Sequence, residues 1–237
     1  VSEPVCNKLV RDVPIITNVD VKTTGLNNGA IEVKWLTPLA DSILGFDTLA
    51  PGNEGPYYFD LLRATGYGTP TTTVTSFSSP YFAMLNTTSY LDTPLATSST
   101  AFTYRVNFRH GASTTPCPAK KASSVFLSCT PNDNVIQLTW QTNVPWTNYQ
   151  YDIYKFDGTV WNLIGSTASQ TFTDTGLVNG ATYSYKVKSI GAYPDATLPA
   201  PLINWSQELC CVPVDLTPPC AVTLAVDSSC DLSQNIL

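Results

Sequence analysis

One histidine and seven cysteines are the residues of this chain best suited to act as nucleophile, base or soft metal ligand. Cysteine–histidine catalysis would pair His110 with Cys117, the only cysteine close to it in sequence. No Gly-x-Ser-x-Gly elbow offers a serine nucleophile. A lone imidazole rules out a His–His metal site. None of Cys6, Cys117, Cys129, Cys210, Cys211, Cys220 and Cys230 forms the CxxC pair of a zinc site. His110 precedes Gly111, and the simplest reading is an exposed loop residue. Two carboxylates could serve glycoside hydrolysis. Yet Asp60 and Asp152 stand in matched contexts, as do Asp92 and Asp174, and matched repetition points to turn bonding or pairing with a nearby cation. Asp41, Asp47 and Glu54 gather on one stretch, but their spacing is not that of an EF-hand calcium loop. The expectation is no enzyme activity, no catalytic residue, no metal site and no cofactor.

Two binding chemistries remain. Trp146, Trp161 and Trp205 lie outside the repeated core blocks described below. Exposed indole rings stack on sugars, and Trp146 and Trp161 are the candidates for glycan stacking. The same rings would equally cover a sandwich edge or a seam between domains. Asn86-Thr87-Thr88 and Asn204-Trp205-Ser206 are N-glycosylation sequons, relevant only in a eukaryotic secretory path. Cysteines in an acidic, Thr/Ser-rich chain point to an oxidising compartment. Cys210 or Cys211 could bridge to Cys220 across the intervening Pro-containing stretch, a short closed loop worth roughly 2–3 kcal/mol. Buried free thiols are the alternative.

These residues must be held by some scaffold, and composition constrains it. The chain has 237 residues, enough for about two domains. Apolar residues make up 43 %, sufficient for real cores, while charged residues are only 13 %. The net charge of −6 argues against nucleic acid and against anionic membranes as partners. No apolar run approaches the ~20 residues of a membrane span. With 18 Pro and 13 Gly among many Thr, Val, Tyr, Phe and Trp, strands joined by turns are expected. The chain has no initiating Met and no signal peptide, which reads as a mature chain or an excised piece.

The chain repeats itself. Ile31-Glu32-Val33-Lys34-Trp35 matches Ile136-Gln137-Leu138-Thr139-Trp140. Tyr58-Phe59-Asp60-Leu61 matches Gln150-Tyr151-Asp152-Ile153. Tyr90-Leu91-Asp92-Thr93 matches Phe172-Thr173-Asp174-Thr175, and Phe102-Thr103-Tyr104-Arg105-Val106 matches Tyr183-Ser184-Tyr185-Lys186-Val187. The offset between copies shrinks along the chain, so the first copy carries two insertions, at about 36–56 and 64–89. Val222-Thr223-Leu224-Ala225-Val226 reads as the start of a third copy. The predicted organisation is the tail of a preceding unit or a linker at 1–12, full units at 13–124 and 125–212, and at 213–237 a linker with the first strand or strands of a truncated unit. Between the full copies there is no room for a linker, which predicts a stiff joint.

Strict alternation and Gly-containing turns make each unit about seven short strands in roughly 100 residues, the arithmetic of an immunoglobulin-like β-sandwich. Asn28-Gly29 and Asp157-Gly158 predict hairpins, and Asn179-Gly180 a turn. Trp35 and Trp140 should lie in the cores, facing the later Tyr/Val rows that include Tyr185.

Leu177-Val178-Asn179-Gly180-Ala181-Thr182-Tyr183-Ser184-Tyr185 resembles the fibronectin type III signature, over nearly the whole second copy. The resemblance implies tandem sandwiches and a tyrosine corner at Tyr183. In the first copy Phe102 replaces that tyrosine, so its corner must be held differently. Asn204-Trp205-Ser206-Gln207-Glu208 and Thr217-Pro218-Pro219-Cys220 resemble phrases in long extracellular proteins of gliding Bacteroidetes, exported by type IX secretion. That resemblance implies a non-catalytic, adhesin-like spacer on the outer-membrane surface. Its partners would be other domains of the same chain, other surface or secretion-machinery proteins, or glycans. Asp41-Ser42-Ile43 and Asp47-Thr48-Leu49 resemble the Bacteroidetes O-glycosylation motif, with sugar on Ser42 and Thr48. The alternative expectation is a glycan-binding accessory region of a secreted polysaccharide-degrading enzyme.

Overall fold

The computed structural model describes residues 11–112 and 119–217. Cys6, Cys117, Cys220, Cys230 and the expected third copy lie outside the described residues. The chain is all-β and forms two sandwiches. In the first, β1 (Ile15–Thr23), β2 (Gly29–Leu36) and β5 (Ser89–Leu95) make one antiparallel sheet in the order β1-β2-β5. The facing sheet has the order β4-β3-β6-β7, from β3 (Tyr57–Thr65), β4 (Thr72–Ser79), β6 (Phe102–His110) and β7 (Ala122–Ser123). The second sandwich repeats this plan. β8 (Phe126–Asn132), β9 (Val135–Gln141) and β12 (Thr171–Thr175) form the sheet β12-β9-β8. Opposite it run β11 (Trp161–Thr167), β10 (Thr147–Phe156) and β13 (Tyr183–Ala192), in that order. The last edge is split into β14 (Leu202–Trp205) and β15 (Leu209–Cys211), both paired with β13.

The sequence alternation produces this directly. On β2, Ile31, Val33 and Trp35 point into the core while Glu32 and Lys34 point out. Trp35 meets Phe59 edge-on at 6.5 Å, and Trp140 meets Tyr151 at 5.2 Å. The Asp157-Gly158 hairpin closes because Gly158 adopts φ +100°, a region open to glycine, while Asp157 accepts the N–H groups of Thr159 and Val160.

The insertion at 36–56 is more than a solvated loop. Its Phe46 is buried against Phe108 (4.8 Å), Phe82 (5.5 Å) and the His110 ring (4.9 Å). His110 is therefore the last residue of β6, half-buried under the insertion, and not an exposed loop residue. Only two residues, Ser124 and Val125, separate β7 from β8. The last strand of the first sandwich runs on as the first strand of the second.

Candidate functional site at the seam of the two sandwiches

The matched carboxylates have structural partners. Asp92 on β5 accepts from Arg63 Nη1 (2.7 Å) and from the Tyr104 hydroxyl (2.8 Å), both on the opposite sheet. Asp174 on β12 accepts from Lys155 Nζ and the Tyr185 hydroxyl, each at 2.8 Å. The cation also stands over the ring at the matched corner, Arg63 over Phe102 and Lys155 over Tyr183. Each sandwich is thus tied between its sheets by the same acid, cation and tyrosine. Burial and the adjacent carboxylate push both tyrosines above the ordinary phenol range. Asp60 and Asp152 lie within one sheet, bonded to Arg109 and Ser76, and to Lys188, Gln150 and Ser166. Burial alone would raise their pKa values, but these donors outweigh it and hold both below the usual carboxylate range.

Tyr183 accepts the Val178 N–H at 2.9 Å. In the first sandwich the buried Thr97 takes over the fastening: its hydroxyl donates to the Thr23 carbonyl (2.8 Å) and accepts the Gly25 N–H (3.0 Å).

The seam is built by the stretch 204–208. Asn18 Nδ2 donates to the Ile203 carbonyl at 2.8 Å, and Val19 N–H donates to Asn204 Oδ1 at 2.8 Å. Trp205 N–H donates to Asp20 Oδ1 and Glu208 N–H to Thr24 Oγ1, both at 2.7 Å. The sequence separations are 185, 185, 185 and 184, so β1 and β14 run parallel and in step. Side-chain oxygens and an amide replace a backbone ladder and cover both sheet edges. The sheet β11-β10-β13-β14 is thereby extended by β1-β2-β5. Gln207 does similar work within the second sandwich: its buried amide accepts from Leu127 N–H (3.0 Å) and donates to the Leu127 carbonyl (2.6 Å). Trp146 and Leu202, from the second sandwich, are buried in the core cluster of the first. Ser123 and Asn143 exchange two further bonds, and the Tyr67 hydroxyl donates to the Gln141 carbonyl.

This geometry corrects several expectations. Trp146 is only 6 % exposed, its N–H donates to Asn148 Oδ1 (2.9 Å), and its ring packs on Tyr193, so it has no face for a sugar. Cys211 is bonded to Cys129, joining β15 to β8, and cannot bridge to Cys220. Cys210 is exposed with a free thiol, its side chain beside the Ser184 hydroxyl on the face away from Cys211. Asn204 is 2 % exposed with its amide committed to the seam, which removes that sequon as an acceptor. Ser42 is exposed and Thr48 half-buried; each follows an aspartate that accepts the N–H two residues on. The residues after Cys211 stay on the second sandwich at first: Gly180 N–H donates to the Pro213 carbonyl and Val214 N–H to that of Asn132.

On the outer face of the joined sheets lies a shallow groove of about 340 Å³, lined by Asp20, Lys22, Tyr154, Trp161, Lys186 and Trp205. Tyr154 and Trp205 have ring centroids 5.0 Å apart. Lys186 Nζ stands 4.6 Å over Trp161, and Lys188 Nζ 5.4 Å from the centre of Tyr154. Sequence reasoning singled out Trp161 but missed Tyr154, and it did not place Trp205 beside either. Among the described residues no group of three or more His, Cys, Asp or Glu is arranged to hold a metal ion.

No protein-family model matches the chain. An amylopullulanase of Thermoanaerobacterium saccharolyticum is 38 % identical over 55 residues, covering 22 % of this chain and 4 % of that protein. The amylopullulanase of Thermoanaerobacterium thermosulfurigenes is 34 % identical over 58 residues, covering 23 % and 3 %. The similarity therefore spans only a small fraction of these relatives. Among solved structures, the central fibronectin-III array of RIM-binding protein aligns over 87 % of this chain and 71 % of its own, at 8 % identity and a TM-score of 0.30. The strand order described above, not that alignment, defines the fold. No helix among the described residues is long and apolar enough to cross a membrane.

Proposed function

We propose that this chain is a non-catalytic extracellular segment of a longer protein, in which two fibronectin type III-like units, 13–124 and 125–212, act as one stiff spacer and interaction surface. The observation that carries this reading is the seam, where β1 and β14 bond in register and Trp146 enters the neighbouring core. A flexible tether would not bury an indole between its units. The Cys129–Cys211 disulfide supports an oxidising location. The resemblance to long surface proteins supports type IX export to the outer-membrane surface and an adhesin-like role. It also supports contact with other domains of the same chain and with surface or secretion-machinery proteins, and sugars on Ser42 and Thr48. Small-angle scattering tests the stiffness: one fixed particle shape is expected, and a broad distribution of inter-unit distances would refute it. Blotting protease-treated intact cells tests the location; a signal that survives the protease in unbroken cells would overturn it.

A second reading is a glycan-binding accessory region of a polysaccharide-degrading enzyme. The local similarity to proteins named amylopullulanase and the aromatic groove favour it.

A further inference from the structure

We infer that the groove across the joined sheets binds an uncharged polysaccharide chain, with Trp161, Tyr154 and Trp205 as its stacking rings. The inference rests on the glycan-binding reading and adds to it a place, a set of rings and a charge class.

The rings sit on β11, β10 and β14, which are spread over four neighbouring strands of one sheet. At ~4.8 Å per strand, Trp161 and Trp205 stand on strands roughly 14 Å apart. That span fits several linked sugar units better than one. The groove is open and shallow, a shape that admits the middle of a polymer as well as its end.

Charge decides the class. Lys22 pairs with Asp20 (2.6 Å) and Glu32 (3.0 Å), and Lys34 with Glu32 (3.2 Å). Lys186 pairs with Glu208 and Lys188 with Asp152, each at 2.7 Å. These four ammonium groups are matched by four carboxylates. A uronate polymer would have to displace one of them and leave its partner unpaired. A neutral polymer would stack on the ring surface that Lys186 and Lys188 leave uncovered, and the remaining donor and acceptor capacity of the ion pairs can serve its hydroxyl groups. The rings are also partly held in advance. Lys188 donates to the Tyr154 hydroxyl at 3.0 Å, Tyr154 packs against Trp205 at 5.0 Å and Phe156 against Trp161 at 5.2 Å, so part of the side-chain ordering is in place before binding.

The test is affinity electrophoresis of the full 237-residue chain through gels carrying soluble neutral polysaccharides (an α-glucan, a glucomannan, a xyloglucan) or acidic ones (polygalacturonate, alginate). Retardation by at least one neutral polymer is expected, unchanged between roughly 50 and 500 mM salt because no ion pair forms with the ligand. Trp161→Ala should weaken it about three- to tenfold, as should Trp205→Phe, and Tyr149→Ala, an exposed ring outside the groove, should leave it unchanged. Trp161 lies on the edge hairpin, away from the seam, so its variant keeps the test valid if Trp205 variants lose thermal stability. Neutral binding that ignores both groove variants would overturn the groove and leave the glycan reading standing. Salt-sensitive binding of acidic polymers alone would overturn the charge class. No retardation in any gel would overturn both the groove and the glycan reading.

Discussion

The Asp20 carboxylate accepts the backbone N–H of Trp205 at 2.7 Å, across 185 residues of chain and between two separate sandwiches. The same carboxylate holds Lys22, so one side chain closes the seam and anchors the ion pairs of the groove. Loss of the carboxylate would leave a part-buried N–H without its acceptor. Asp20→Ala should destabilise the chain by about 1–3 kcal/mol. Unfolding in denaturant should be a single transition for the native chain and should separate into two when Asp20→Ala is combined with Asn204→Ala. Coincident loss of both sandwiches in the double variant would show that other contacts couple them.

Trp146 should behave as a core residue of the first sandwich, although it belongs to the second by sequence. Trp146→Ala is expected to cost about 3–5 kcal/mol. Thermal denaturation followed separately in each sandwich should show the first weakened along with the second. A drop confined to the second would contradict the placement of the indole.

The Cys129–Cys211 bridge closes a loop with a sequence separation of 82, for which the chain-entropy model gives on the order of 4 kcal/mol. Non-reducing peptide mapping should recover a fragment linking those two cysteines. Reductant should lower the midpoint of unfolding by an amount that Cys129→Ser with Cys211→Ser reproduces. Cys210→Ser should leave it unchanged.

Acid should weaken each sandwich through its in-sheet aspartate. Asp60 and Asp152 are held below the usual carboxylate range in the folded state, so their stabilisation is complete above the unfolded value near 4. It fades as pH falls through the lowered folded values. Asp60→Asn and Asp152→Asn should flatten the acid limb of the stability curve. At the alkaline end the sign reverses. Tyr67, pushed up to about 12, and Tyr104, Tyr185 and Tyr193, all raised mainly by burial, ionise more easily unfolded. Their stabilisation is present below about pH 10 and is lost above it. Absorbance titration should show these phenols ionising only together with unfolding.

Much of the fold was legible because it is local. Alternation around Trp35 and Trp140, the Gly-containing hairpins and the matched Asp blocks lie within short windows, and short windows specify strands and turns. The paired reading of the matched aspartates also followed, since a carboxylate repeated in both copies has to serve what both copies share. The seam was not legible. Asn18, Asp20, Asn204 and Gln207 look like ordinary surface polar residues until β14 lies beside β1, and nothing within either stretch names the other. The phrase 204–208 drew notice only by its resemblance to other proteins. Cysteine spacing favoured a short loop to Cys220, whereas the closing of the sandwich sets β15 of one sheet against β8 of the other, a proximity of tertiary packing that spacing cannot express. Phe46 looked like part of a loop because its aromatic partners arrive from three distant segments.

The disulfide has a mechanical side. It joins the first strand of the second sandwich to the last, so a pull entering before Cys129 and leaving after Cys211 crosses the sandwich through a covalent shortcut. Strands 9 to 14 then carry no tension. Some 82 residues, about 280 Å of extended chain, are withheld from stretching while the bond is intact. Under oxidising conditions the second sandwich would work as a fixed link, and reduction would lengthen the tether without changing its sequence.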